Sequence, residues 1–138
     1  MRHMPGSATS FEQIRRLLAE YCQFLDDRRY DEWSALFAPD GLWVLGEREF
    51  HGRPAMHAYM VQLATDRPTW RTKHVCTNVL VELDGGGRTG RGTSDLTMLA
   101  HTGDAPWAVA SLGRYYDRVD RSADGTRWQF SERRLVVL

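Results

Sequence analysis

Apolar positions in the first fifth of the chain recur at intervals of three and four, and those of the second half fall in extended runs broken by turn residues. Phe11, Ile14, Leu17, Leu18, Tyr21, Cys22 and Leu25 form the stripe that one face of an α-helix buries. Ser10 followed by Gln13 has the form of a capping box, so the pattern predicts a helix over 10–25. Asp31 can cap a second short helix carrying Trp33, Leu36 and Phe37, which stops at Pro39-Asp40-Gly41, and residues 42–45 then read as a strand. A third helix opens at Gly52-Arg53-Pro54, carries Met56, Tyr59, Met60 and Leu63, and ends before Pro68.

From Trp70 onward the pattern is that of strands and tight turns. Segments 73–83, 89–101, 107–120 and 127–137 are separated by Asp84-Gly85-Gly86-Gly87, Thr102-Gly103-Asp104 and Ala123-Asp124-Gly125, the composition of hairpin turns. Helices first and long antiparallel strands after them define an α+β protein. Such a sheet, strongly curved and mostly antiparallel with the helices across its concave side, makes a cone-shaped barrel enclosing a pocket. Alternation along the first long strand puts His74, Cys76, Asn78 and Leu80 on one face and Val75, Thr77, Val79 and Val81 on the other. If the first face lines the pocket, His74 needs a buried polar partner, and Asp26 at the end of the first helix is placed to supply it. A carboxylate that orients an imidazole makes a general base.

Composition narrows the function. The 138 residues are 42% hydrophobic, enough for one domain with a core of its own. Residues 1–9 read as a disordered tail and 10–138 as the domain. Lys plus Arg and Asp plus Glu each number 18, so there is no basic field for nucleic acid or an anionic membrane, and a small hydrophobic ligand is the expected partner. Cys22 and Cys76 read as reduced core thiols, and with no signal-length apolar run the expected location is the cytoplasm. His3, His51, His57, His74 and His101 lack metal-ligand spacing, so neither metal nor cofactor is expected. Gly85-Gly86-Gly87 joins two strands and does not open a helix, which makes it a hairpin turn and not a phosphate loop. The apolar residues Val75, Val79 and Val81, placed on the outer face, suggest a homodimer or homotrimer.

Tyr21-x-x-x-Leu25-Asp26, Trp33-x-x-Leu36-Phe37-x-Pro39-Asp40-Gly41-x-Trp43, Gly52, His74-x-x-x-Asn78, Tyr116-Asp117 and Gly125-x-x-Trp128-x-Phe130-x-x-Arg133 together resemble the SnoaL-like branch of the nuclear-transport-factor-2-like superfamily. Within it the chain is similar to scytalone dehydratase, hexachlorocyclohexane dehydrochlorinase and the small subunits of ring-hydroxylating dioxygenases. The resemblance implies that His74 is the general base or acid-base shuttle and that Asp26 holds its tautomer. It also implies substrate contact by Trp43 and Arg133, with Tyr21, Asn78 and Leu112 taken alongside them. Tyr21 stands where the dehydrochlorinase has a lysine, and Leu25 and Leu45 where the scytalone enzyme has tyrosines. The implied activity is therefore a cofactor-independent lyase, isomerase or cyclase with a small hydrophobic substrate of its own, polyketide or polycyclic in kind; a ligand carrier or an assembly subunit is the alternative. Each residue also has a structural reading: Asp26 as a solvated helix-end carboxylate, His74 as a satisfied core histidine, Tyr21 and Trp43 as core, and Arg133 as one half of an ion pair with Glu132 or Asp117.

Overall fold

The computed structural model describes residues 6–138, a run of three helices and six strands. Helix α1 spans Gly6–Asp26, α2 Tyr30–Ser34 and α3 Arg53–Asp66; the strands are β1 Phe37–Leu45, β2 Arg48–His51, β3 Trp70–Leu83, β4 Thr89–Thr102, β5 Ala108–Arg121 and β6 Trp128–Val137. The strands form a single sheet in the order β2-β1-β6-β5-β4-β3. Every neighbouring pair is antiparallel except β1 with β6, which is parallel. The α+β class, the three helices and the four long C-terminal strands agree with the sequence reading.

The differences are local and have physical causes. Helix α1 begins at Gly6, so 6–9 belong to the helix and not to a tail, while residues 1–5 of the expected tail lie outside the described residues. Ser10 is not a cap: it is buried inside α1, and its Oγ accepts a hydrogen bond from Arg121 Nη2 at 2.9 Å. Asp31 does not cap α2 either, because the helix starts one residue earlier and its N-cap is Arg29. Phe37 belongs to β1, and Pro39-Asp40-Gly41 bulges out of that strand: the register with β6 moves from Phe37 opposite Phe130 to Leu42 opposite Glu132. Strand β2 escaped the sequence reading because it is four residues long and joined to β1 by the tight turn at Gly46 (φ 60°) and Glu47.

Aromatic residues from α1, α2, β1 and β6 meet under the concave face. The Tyr21 ring packs edge-on to Trp33, Tyr115 and Phe130, with centroids 5.7–6.0 Å apart, the separation at which aromatic quadrupoles attract. Trp33, Phe37 and Phe130 are fully buried in this cluster. Helix α1 lies along β3, and α3 closes the other side against α2, β1 and β2. Cys22 is buried and Cys76 half-buried, and both are free. No described helix is long and apolar enough to cross a membrane.

A β-bulge in β3 decides which side chains face the cavity. Thr77 pairs with Asp95 and Leu80 with Thr93, so β3 carries one residue more than β4 across this stretch. The extra residue is Asn78, which sits in the left-handed region with φ 54°. A bulge resets the period-two alternation, so Trp70, Thr72, His74 and Cys76 face inward before it and Val79, Val81 and Leu83 after it. Asn78 and Leu80 are turned out, and the expected outer stripe of Val75, Val79 and Val81 is corrected to Val75 and Leu80. Asparagine tolerates positive φ far better than a β-branched residue. Asn78→Val is therefore expected to lower stability by about 1–3 kcal/mol and Asn78→Gly to be close to neutral, read from urea unfolding midpoints; equal midpoints for the two variants would show that the bulge does not depend on this residue.

Candidate active site

Helix α1 ends where β3 enters the sheet, and the last helical residue, Asp26, reaches across to it. Its carboxylate accepts four hydrogen bonds from β3: Thr72 Oγ1 at 3.0 Å, the His74 backbone N–H at 3.1 Å (Oδ1) and 2.9 Å (Oδ2), and His74 Nδ1 at 2.6 Å. The Asp26 and His74 side chains are 9% and 10% exposed, so the pair is nearly enclosed. An ionised carboxylate only accepts, so Nδ1 carries a proton, and in the neutral ring Nε2 is the nitrogen left with a lone pair. The tautomer is thus set by the fold. Thr72 was not among the expected site residues, though its position two before His74 on the same face of a strand places it there.

Next to the pair opens a cavity of about 300 Å³, walled mainly by apolar and aromatic side chains from α1, α3 and the concave face of the sheet. Asp26, His74, Tyr21 and Trp43 all line it. Trp43 Nε1 donates to Tyr21 Oη at 3.0 Å, which orients both groups. Burial pushes the Tyr21 phenol up to about 12, and burial raises Tyr115 as well, so both stay neutral. The remaining wall includes Leu25, Met60, Leu96 and Leu135, a surface suited to an apolar skeleton held by a few polar groups.

Three expected contacts lie elsewhere. Asn78 is exposed beyond the bulge, where its Nδ2 donates to Asp95 Oδ2 at 2.8 Å. Leu112 is 44% exposed on the outer face of β5, because alternation turns its neighbour Ser111 into the cavity instead. Arg133 is fully buried beneath the cavity and outside its wall. Its guanidinium carbon lies 3.5 Å from the ring centre of Tyr115, 4.1 Å from Tyr21 and 4.8 Å from Phe130, and its Nε is 3.2 Å from Asp117 Oδ1. Desolvation works against the Arg133 charge, but the Asp117 carboxylate and the surrounding phenols outweigh it. The arginine is thus a buried cation clamped by rings and one carboxylate, supporting Tyr21 and Tyr115 from behind. That is the Asp117 pairing the sequence offered as its alternative, in the interior and not on the surface.

The rim of the cavity holds residues that sequence reasoning missed. Arg28 follows α1 in the left-handed region, φ 58°. Its N–H bonds to Leu25 O at 3.1 Å, and the Arg29 N–H bonds to Phe24 O at 2.8 Å. This is the Schellman closure, in which glycine usually holds the left-handed position; a side chain there costs about 1 kcal/mol. The Arg28 side chain lines the cavity, and its Nη2 donates to the Trp70 carbonyl and to Arg67 O. Tyr30 stands beside it, its phenol raised by burial and drawn back down by Arg28 and Arg71. Among the described residues no group of three or more His, Cys, Asp or Glu side chains is placed to hold a metal ion.

The family described as SnoaL-like domain matches residues 7–134, and the chain belongs to it. No curated protein matches. Solved structures similar to this chain include Rv3472(D26N), a protein of unknown function from Mycobacterium tuberculosis, with 26% identity over 93% of this chain and 76% of that one, TM-score 0.83. A Novosphingobium aromaticivorans protein provisionally named a scytalone dehydratase is 21% identical over 96% and 87% of the two chains, TM-score 0.83. ActVI-ORFA from Streptomyces coelicolor is 18% identical over 92% and 93%, TM-score 0.80. The last two likenesses are of fold; an NTF2-like protein with a cystatin-like fold from Novosphingobium aromaticivorans, 18% identical over 95% and 83% of the two chains with TM-score 0.79, shares it, in line with the NTF2-like fold that the sequence resemblance implied.

Thr72 supports Asp26 from within the sheet, and its removal isolates that contribution. Thr72→Val keeps the shape and deletes one donor to a nearly buried carboxylate, so stability is expected to drop by about 1.5–3 kcal/mol, read from thermal and urea unfolding. A variant as stable as the parent would show that water or the backbone N–H replaces the hydroxyl without loss.

Proposed function

We propose that the protein is a cofactor-independent lyase, isomerase or cyclase in which His74 moves a proton on a small hydrophobic substrate, polyketide or polycyclic in kind, and Asp26 holds the ring and stabilises its charged form. The single observation that carries the reading is the 2.6 Å contact between Asp26 Oδ1 and His74 Nδ1 in the wall of an apolar cavity. With Nδ1 held by the carboxylate, Nε2 is the atom free to take a proton from carbon next to a carbonyl or a leaving group. The imidazolium so formed is stabilised by Asp26 and can return the proton to a departing hydroxyl or to another carbon. The apolar walls keep bulk water from the base and strengthen the pair's electrostatics. The neighbour provisionally named a scytalone dehydratase supplies a precedent on the same fold, and Leu25 and Leu45 stand where the resemblance puts the scytalone enzyme's tyrosines, so the substrate is this chain's own.

The reading includes self-association. Val75, Leu80, Leu112, Tyr116 and Val136 are all at least 37% exposed on the outer face, and a second copy is the partner that would cover them. A homodimer or homotrimer is expected by light scattering at micromolar concentration; a 15.9 kDa particle would remove this part of the proposal.

The catalytic part is tested at His74. His74→Gln keeps a hydrogen-bonding side chain and deletes the base, so turnover is expected to fall by roughly 10²–10⁴-fold while ligand affinity changes much less. Asp26→Asn is expected to be damaging as well, because its amide can offer an N–H to Nδ1 and select the wrong tautomer. Turnover by His74→Gln at the parental rate would make His74 a structural histidine. Ligand binding by both variants with no turnover in any form of the protein would make the cavity a carrier site.

A further inference from the structure

We propose that Arg28 is the specificity determinant of the cavity, binding an anionic oxygen of the substrate at the end remote from His74, so that the substrate is a fused-ring aromatic acid or enolate. This rests on the cavity being the substrate site and adds the charge of what enters it. Arg28 supplies the one arginine or lysine side chain in the described cavity wall, and Asp26 the one carboxylate. The Asp26 charge is already occupied by Thr72 and His74, whereas Arg28 takes part in no ion pair among the described residues. Its protein contacts there are two backbone carbonyls, both reached through Nη2. Nε and Nη1 remain for a further acceptor. A guanidinium offers five donors in a planar fork, and a carboxylate or enolate oxygen is the partner that fork fits best.

Placement gives the length of the substrate. The Trp70 carbonyl that anchors Arg28 lies four residues before His74 on β3, about 13 Å along an extended strand. An anion held at Arg28 and a carbon presented to Nε2 are therefore bridged by a rigid skeleton of two or three fused rings. Leu25, Met60, Leu96 and Met98 flank that path with apolar surface. The backbone agrees: glycine would close α1 at the Arg28 position without strain, yet the position carries a long cationic side chain at the cavity wall.

The experiment compares 2-naphthoate with its neutral analogue 2-naphthamide by titration calorimetry, using the full chain and the variants Arg28→Gly and His74→Gln. The parent protein is expected to bind the carboxylate roughly tenfold or more tightly than the amide, the range of a charge-assisted hydrogen bond. Arg28→Gly suits the left-handed backbone and is expected to melt no lower than the parent. It should lose the preference for the carboxylate while holding naphthamide within about threefold. His74→Gln should keep the preference, which separates this proposal from the proton-transfer reading: either can fail while the other stands. The proposal is overturned if 2-naphthoate fails to bind the parent, if the amide binds as tightly, if the preference survives in Arg28→Gly, or if that variant weakens both ligands equally, which would make Arg28 a structural rivet between α1 and β3.

Discussion

The Asp26 carboxylate, accepting from Thr72 and from both the backbone and the ring of His74, ties the end of α1 to the edge strand β3. The rest of the site follows from that tie. A nearly buried carboxylate is costly unless its lone pairs are filled, and here β3 fills them. The helix end is thereby held at one height against the strand, and the imidazole cannot rotate without releasing a charged partner. The interaction that positions α1 also fixes the tautomer of the proposed base, so stability and chemistry draw on the same atoms.

Behind this tie lies a second polar device of a different kind. Arg133 and Asp117 face each other across paired strands β5 and β6, and three aromatic rings surround the guanidinium. Truncating one partner of such a pair leaves an uncompensated charge in an apolar interior. The cluster carries Tyr21 and Tyr115, whose other faces line the cavity, so the shape of the pocket floor depends on a charge that never reaches it. A substrate-binding role and a supporting role look alike in one dimension; the layer of tyrosines separates them in three.

The cavity chemistry is lopsided. The Asp26–His74 pair joins the end of α1 to the edge strand, the Arg28 cation stands at the rim just after α1, and the rest of the wall is mainly hydrocarbon and aromatic ring. Polar groups at two ends of an apolar slot orient a ligand as well as hold it. The Schellman closure is what places Arg28 there, since a left-handed residue turns the chain back toward the strand it has just docked on.

Hydrophobic period alone was sufficient for the α+β class, for α3 and for the four long strands, because each buries one face and the spacing of that face is set by backbone geometry. The Asp26 and His74 pair was legible for a related reason: an imidazole on a half-buried strand face needs a partner, and few acids lie near enough in the order of elements. Tyr21 and Trp43 also line the cavity. What escaped was decided by strand register and by side chains converging from separate elements. The bulge at Asn78 reverses strand parity through pairing with β4, which turned Asn78 outward and drew Val79 and Val81 inside. Leu112 changes places with Ser111 through a register set by its neighbours, and Arg133 is buried because Asp117 and three rings converge on it from separate elements. Ser10 bonds Arg121 from 111 residues away and so serves the core and not the helix cap. Local pattern specifies which residues want to be buried; only the register between strands and the docking of α1 determine what each of them meets there.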